Sequence, residues 1–314
     1  MQEKFDAKAF IDEAIRKLKQ EIGGEAVAAC SGGVDSTVTA VLGYRALGEG
    51  LTAVFLDDGL MREGEPESVA SMLSKLGLKV KVYDVSEEFF KALKGITDPE
   101  LKRKTFRSTF YHTLSRVVKE LGAKYLLQGT IAADIVETSR GVKTQHNVLE
   151  QIGIDAEREY GYKVVEPLKT LYKHQVRLVA EALKLPKEVI ERRPFPGPGL
   201  SIRVLGEVTR ERVELVRRAT KIIEEETKGI RCFQAFAVLM SDRATGVTED
   251  GKRRYGEVVV VRAVDSLDAM AAKSTEIAWS VLERISSRIT DELPTVTRVL
   301  YELTGKPPAT IEFE

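Results

Sequence analysis

The feature that most constrains this chain is an alternation. Short, nearly continuous apolar runs at 26–29, 51–56, 79–83, 124–128 and 163–165 are separated by longer stretches at 5–21, 37–47, 66–76 and 102–121 that read as helices. Apolar strands alternating with helices predict an α/β fold, a parallel sheet covered on both faces. Such sheets bind their ligands at the carboxyl ends of the strands. Ser31, Asp57 and Gly129 all fall there. In the first helix the apolar spacing is carried by Phe10, Ala14, Ile15 and Leu18.

The turn after the first strand reads SGGVDS, residues 31–36. Its glycines let the backbone turn tightly and approach a ligand closely. Ser31, Ser36 and Thr37 add hydroxyls, and the following helix start supplies unpaired N–H groups and a positive dipole end. Together these form an anion nest that could cradle two phosphoryl groups. The lysine of the GxxxxGK[ST] loop is absent. Asp35 would repel a bare phosphate, so either it holds a bridging Mg²⁺ or it is an ordinary first-turn helix carboxylate.

Composition shifts at 193–199, RPFPGPG, which reads as a stiff linker. Beyond it come an amphipathic helix at 209–227, strand-like runs at 234–240 and 257–263, a helix at 274–290 and a strand at 295–302. The organisation expected is therefore an α/β domain over 1–192, a linker over 193–200, and a smaller α+β domain over 201–314. The polar stretch at 138–162 lacks periodicity and is a candidate lid, because a loop this long inside a domain is more often functional than idle.

Several classes are excluded. Lys+Arg and Asp+Glu both number 48, and that balance argues against a general nucleic-acid or anionic-membrane binder. No apolar run approaches the ~20 residues of a membrane span, and the polar start MQEKFDAKAF is unlike a signal peptide. Two cysteines, Cys30 and Cys232, cannot make a disulfide framework or a four-cysteine zinc site. A cytoplasmic enzyme is expected.

SGGVDS resembles the pyrophosphate loop of the ATP pyrophosphatases (adenine nucleotide alpha hydrolase-like proteins). These enzymes cleave ATP between the α and β phosphates, adenylate a substrate oxygen and let a nucleophile displace AMP. The tRNA-thiolating members commonly need paired cysteines, which this chain lacks. Five further runs, VFLDDGLMR (54–62), DPELKRKTF (98–106), QGTIAADIVET (128–138), RPFPGPGLSIRVLGEV (193–208) and GKPPATIEFE (305–314), resemble the synthetase part of GMP synthetases, in that family's order. The resemblance implies that XMP, ATP and ammonia give GMP, AMP and pyrophosphate. About 25 residues precede the loop strand and neither cysteine sits in a glutaminase-like setting. The chain thus resembles the two-subunit form, with ammonia supplied by a separate glutaminase subunit. The resemblance also implies a homodimer formed through the C-terminal domain. An NAD synthetase-like enzyme would share the loop but has no reason to carry KPPATIE, and a non-catalytic ATP sensor would release no pyrophosphate.

The resemblance implies the following roles. Ser31, Gly32, Gly33, Asp35 and Ser36 bind the β,γ-phosphates of ATP with Val34 filling the core beneath, and Asp35 takes Mg²⁺. Asp57 and Gly59 meet adenosine, or else Asp57 caps the next helix. Gly129 and Thr130 end the fourth strand beside the same cleft. Asp134 and Glu137 share a helix face, and either one or both serve Mg²⁺ or the adenylated intermediate or the pair is a solvated face. Arg103, within KRK, matches an XMP residue; without the resemblance it would read as a solvated face. Lys143, His146 and Asn147 match the family's K-S-H-H-N run, with Gln145 where a histidine would stand; Lys143 and His146 are the catalytic candidates of the lid and Asn147 is a substrate-binding candidate. At the C-terminus, side-chain chemistry makes Lys306 and Thr310 candidates for the XMP phosphate and Glu312 for the purine ring; the resemblance supports Lys306 and Glu312, with Gln234 as a further XMP residue. The XMP site implied draws on both domains.

Overall fold

A computed structural model of the chain describes residues 5–132, 134–135, 156–248, 250–267 and 269–314. Along the described residues the elements are α1 (Ala7–Glu21), β1 (Ala26–Ala29), α2 (Val34–Leu47), β2 (Leu51–Asp57), α3 (Glu65–Lys75), β3 (Lys79–Asp84), α4 (Ser86–Leu93), α5 (Pro99–Glu120), β4 (Tyr125–Leu127), α6 (Ala156–Tyr160), β5 (Lys163–Val165), α7 (Lys173–Ala182) and α8 (Lys187–Ile190), followed by α9 (Arg210–Glu226), β6 (Gln234–Val247), β7 (Arg253–Asp265), β8 (Lys273–Ser274), α10 (Trp279–Glu292) and β9 (Val296–Tyr301). They form two compact units. The first comprises Met1–Asp57, Gly64–Val85 and Ser108–Arg192; the second comprises Asp58–Glu63, Ser86–Arg107 and Arg193–Glu314.

The first unit is built on a five-stranded sheet in the order β3-β2-β1-β4-β5, and all four pairings are parallel. Val27 and Ala28 of β1, Ala53 and Phe55 of β2, and Leu126 and Leu127 of β4 are fully buried, as strands covered on both faces require. The chain leaves β1 for β2 on one side and returns to β4 on the other. The order therefore reverses between β1 and β4, which is where an open parallel sheet leaves a crevice for its ligand. Helix α1 is capped by Asp6, whose side chain accepts from the Lys8 and Ala9 N–H groups. Its buried residues are Ile11, Ala14 and Leu18; the expected Ala14 and Leu18 are among them, while the expected Phe10 and Ile15 are half-buried.

In the second unit, β6 pairs antiparallel with β7, β8 with the end of β7, and β9 parallel with β7. Helix α9 begins at an N-cap threonine, Thr209, which accepts from the Arg212 N–H. Arg288 of α10 holds Glu225 and Glu226 of α9, and Arg284 holds Glu226 as well. The core includes Phe236, Val238, Val260, Val264 and Ala272, and Ile311 near the C-terminus joins it.

Some expected boundaries differ in the structure. The expected stiff linker over 193–200 runs at its end into Gly199–Arg203, a buried 3₁₀ turn, and the Leu200 N–H donates to Leu60 O at 2.8 Å. Leu200 and Ile202 are fully buried, so burial decides what prolines alone could not. The expected helix from 274 starts at Trp279, because Lys273–Ser274 is taken by pairing with β7. Within the expected lid, residues 156–160 form helix α6, while 136–155 lie outside the described residues. The compact units also depart from a single cut near 193, since 58–63 and 86–107 cluster with the C-terminal part.

Candidate active site

The SGGVDS turn joins β1 to α2 beside the crevice. Gly32 has φ +76°, a left-handed conformation that L side chains rarely adopt, and an added Cβ would meet Val69 at 2.4 Å. Gly33 is the N-cap of α2 and offers no side chain to its first N–H groups, which a helix start leaves without intrahelical partners. The turn is instead tied from within. Ser36 Oγ donates to Gly33 O at 3.1 Å, accepts from the Ser31 N–H at 3.2 Å, and lies 3.2 Å from Ser31 Oγ. Val34 is buried beneath.

A cation that the turn lacks in sequence arrives in space. Lys173, the first residue of α7, places Nζ 2.5 Å from Asp35 Oδ2. The other carboxylate oxygen, Asp35 Oδ1, is buried and has no hydrogen-bond partner among the described residues. A buried carboxylate oxygen left unpaired is costly. Such an oxygen, on the first turn after a phosphate-type loop, fits a divalent cation, which takes hard oxygen ligands. Asp35 thus has the donor chemistry for Mg²⁺. Among the described residues no group of three or more His, Cys, Asp or Glu forms a protein-only metal cage. Mg²⁺ usually binds through one or two carboxylates plus substrate phosphates and water.

The end of β4 approaches the same turn. A Cβ on Gly129 would lie 2.8 Å from Ser36 N and 2.9 Å from Asp35 C, so only glycine fits there. Thr130 is buried beside it. Gln128 is 1 % exposed, and both its amide nitrogen and its amide oxygen lack a partner among the described residues. Asp134 Oδ2 accepts from the Ile131 N–H at 3.0 Å. Asp57 closes β2, and its carbonyl accepts from the Val85 N–H at 2.9 Å. The helix-capping alternative for Asp57 is not realised: the N-cap of α3 is Gly64, with no side-chain cap. Gly59 belongs to the second unit, with φ +74°.

Every described XMP candidate falls in the second unit. Arg103 donates to Glu314 O and lies 3.7 Å from Glu100. Gln234 is buried and donates from Nε2 to Pro194 O at 3.0 Å. Lys306 Nζ donates to Ala269 O at 2.9 Å, and Thr310 Oγ1 donates to Glu312 O. Glu312 is held by both arms of the buried Arg203, at 2.8 and 2.9 Å, and that guanidinium lies 3.8 Å from the centre of the Phe236 ring. Each Glu312 oxygen keeps a second lone pair. Arg262, also fully buried, donates to Thr304 O and Thr310 O at 2.7 and 3.1 Å, pinning the terminal segment. Burial pulls the Arg262 pKa below its ordinary value.

Lys143, His146 and Asn147, and with them Glu137, lie outside the described residues. Lys173 and Arg262 carry no local sequence signal, while Gln128 and Arg203 lie in family-like runs that do not single them out. Lys173 stands 138 residues from Asp35, in a helix whose sequence reads as a plain amphipathic segment.

Residues 7–186 match the family model described as the PP-loop domain, and residues 220–313 match the GMP synthase C terminal domain. A subunit of the glutamine-hydrolyzing GMP synthase of Methanopyrus kandleri is 51% identical over 322 residues, spanning 99% of this chain and 100% of its own. The corresponding subunit from Thermococcus kodakarensis is 50% identical, over 97% of this chain and 99% of its own. Among solved structures, the NMN synthetase of Francisella tularensis aligns with 67% of this chain and 85% of its own, at 18% identity and a TM-score of 0.47, a likeness too slight to bear on function.

Proposed function

The chain belongs to the family of these GMP synthase subunits, and from that membership we infer its reaction and the part each unit plays. It is a carbon–nitrogen ligase, the ATP pyrophosphatase subunit of GMP synthesis. The observation that carries this reading is the match of the C-terminal unit. A PP-loop domain alone fits many ATP-dependent reactions, whereas residues 220–313 fit a GMP synthase.

The C2 oxygen of XMP attacks the α-phosphorus of ATP, and the bond to the β-phosphate oxygen breaks to release pyrophosphate. Ammonia then attacks C2, and AMP leaves. In the first unit, Ser31, Gly32, Gly33 and Ser36 hold the β,γ-phosphates, and Lys173 supplies the cation missing from the loop. Asp35 holds Mg²⁺, which when bound would neutralise charge on the departing pyrophosphate. Asp57 and Gly59 are read as adenosine residues, and Gly129 and Thr130 as residues beside the pyrophosphate loop. Asp134 is a second acidic candidate for the metal. In the second unit, Arg103, Gln234, Lys306, Thr310 and Glu312 take XMP. Lys143 and His146 are read as catalytic residues and Asn147 as an XMP residue, in a site that must keep water from the adenylated intermediate. Ammonia comes from a separate glutaminase subunit, and the C-terminal unit forms a homodimer.

Asp35→Asn tests the metal assignment. Titrations of ATP with and without magnesium chloride should show that Mg²⁺ strengthens binding to the wild type but not to the variant, while turnover falls at least ~100-fold. Equal strengthening by Mg²⁺ in both proteins would remove Asp35 from the metal site.

A further inference from the structure

We propose that Arg192 and Glu65 form a latch that fixes the Gly32–Gly33 peptide in its anion-binding orientation, making Arg192 a positioning residue for the pyrophosphate loop. Arg192 Nη1 donates to the Gly32 carbonyl at 2.7 Å. Its Nη2 pairs with the Glu65 carboxylate, which is 4 % exposed and sits in the first turn of α3. One guanidinium thus spans a buried anion and the loop backbone, which its rigid fork of donors allows and a lysine ammonium does not.

The consequence follows from the planarity of the peptide bond. The cis bonds among the described residues are at Lys306–Pro307 and Pro307–Pro308, so the Gly32–Gly33 peptide is trans. In a trans peptide the C=O of one residue and the N–H of the next point in opposite directions. Holding the Gly32 oxygen on Arg192 therefore turns the Gly33 N–H away from Arg192, free to serve a phosphate. A flip of this peptide would present an oxygen where an N–H is needed and would repel the ligand. Glycine at both positions makes such a flip sterically cheap, so the loop needs an external hold. The crowding at Gly32 fits this account: a Cβ there would sit 2.5 Å from Arg192 Nη1.

This inference rests on the reading that the loop binds pyrophosphate, and the test separates the two. The affinities of magnesium pyrophosphate and of AMP are measured by calorimetry for the wild type, Arg192→Ala and Glu65→Gln, with thermal unfolding alongside. Arg192→Ala should weaken pyrophosphate at least ~10-fold and leave AMP within ~2-fold, because AMP lacks the groups the loop holds. Millimolar guanidinium should restore part of the loss. Glu65→Gln, which keeps shape but removes the anchoring charge, should weaken pyrophosphate ~3-fold or more with AMP unchanged. A folded Arg192→Ala that binds pyrophosphate as the wild type does, or loses both ligands in equal proportion, would overturn the latch. If Arg192→Ala does not fold, an unchanged pyrophosphate affinity in Glu65→Gln overturns it. A wild type that binds no pyrophosphate would instead overturn the loop reading itself.

Discussion

Gly129→Ala isolates the geometry of the crevice from its chemistry, since it adds one methyl group and removes nothing. The new Cβ would meet Ser36 N at 2.8 Å, Asp35 C at 2.9 Å and Ser36 Cα at 3.0 Å. All three are backbone atoms at the start of α2, so no side chain can rotate away. The helix start must retreat by about half an ångström before the contacts become ordinary, in an interior packed as densely as a crystal. Overpacking of this kind costs about 1–3 kcal/mol, a small part of the roughly 5–15 kcal/mol that holds a folded protein. The protein therefore stays folded at 25 °C, with Tm lower by roughly 2–8 °C. The catalytic cost should be larger in effect. A misplacement of about 1 Å costs roughly 100-fold, so half of that gives roughly 10-fold in kcat/KM for ATP, or ~1.4 kcal/mol in the transition state. Gly43→Ala, farther along the same helix, is the control. Its Cβ would press on Leu127 Cδ2 at 2.7 Å and Leu51 Cδ2 at 3.0 Å, the flexible ends of side chains, while alanine gains helix propensity. Steady-state pyrophosphate release should show Gly43→Ala within ~2-fold of the wild type. Equal activity of the two variants would refute the claim that the β4 end and the helix start set the ATP geometry.

Other expectations follow from single contacts. Lys173→Ala removes the cation paired with Asp35 and should raise the KM for ATP about 10-fold while leaving inhibition by AMP unchanged, measured by product-inhibition kinetics. Burial pushes the Cys30 thiol up to about 12, so it remains protonated near neutral pH. Iodoacetamide at pH 8 should leave Cys30 of the folded protein unmodified, and Cys30→Ala should keep activity within ~2-fold; a larger loss would place sulfur in the chemistry.

The sheet is legible in the sequence because its central strands are buried on both faces and therefore read as unbroken apolar runs. The turn is legible because glycine and hydroxyl residues between a strand and a helix have few other uses. The edge strand β3 is largely exposed, yet the alternating valines of KVKVY reveal it. In α1 the expected Ala14 and Leu18 are buried, but Ile11 joins them in place of Phe10, since both choices satisfy a helical period. β8 escapes as well, because two residues become a strand only when β7 lies beside them. The partners of the site are also hidden. Lys173, Arg192 and Glu65 look like ordinary surface charges in sequence, and only the folding of α3, α7 and the residues after α8 onto the loop gives them work. The C-terminal run KPPATIEFE is legible as a family-like motif, but not that buried Arg203 and Arg262 hold it.

The most direct test of the account is pyrophosphate release by the purified chain with ATP and magnesium. It would be offered XMP, deamido-NAD or aspartate, with ammonium chloride as nitrogen source and glutamine as control. Release with XMP and ammonium, and none with glutamine alone, is the predicted result. Release with deamido-NAD instead would keep the loop chemistry and contradict the reading of the C-terminal unit.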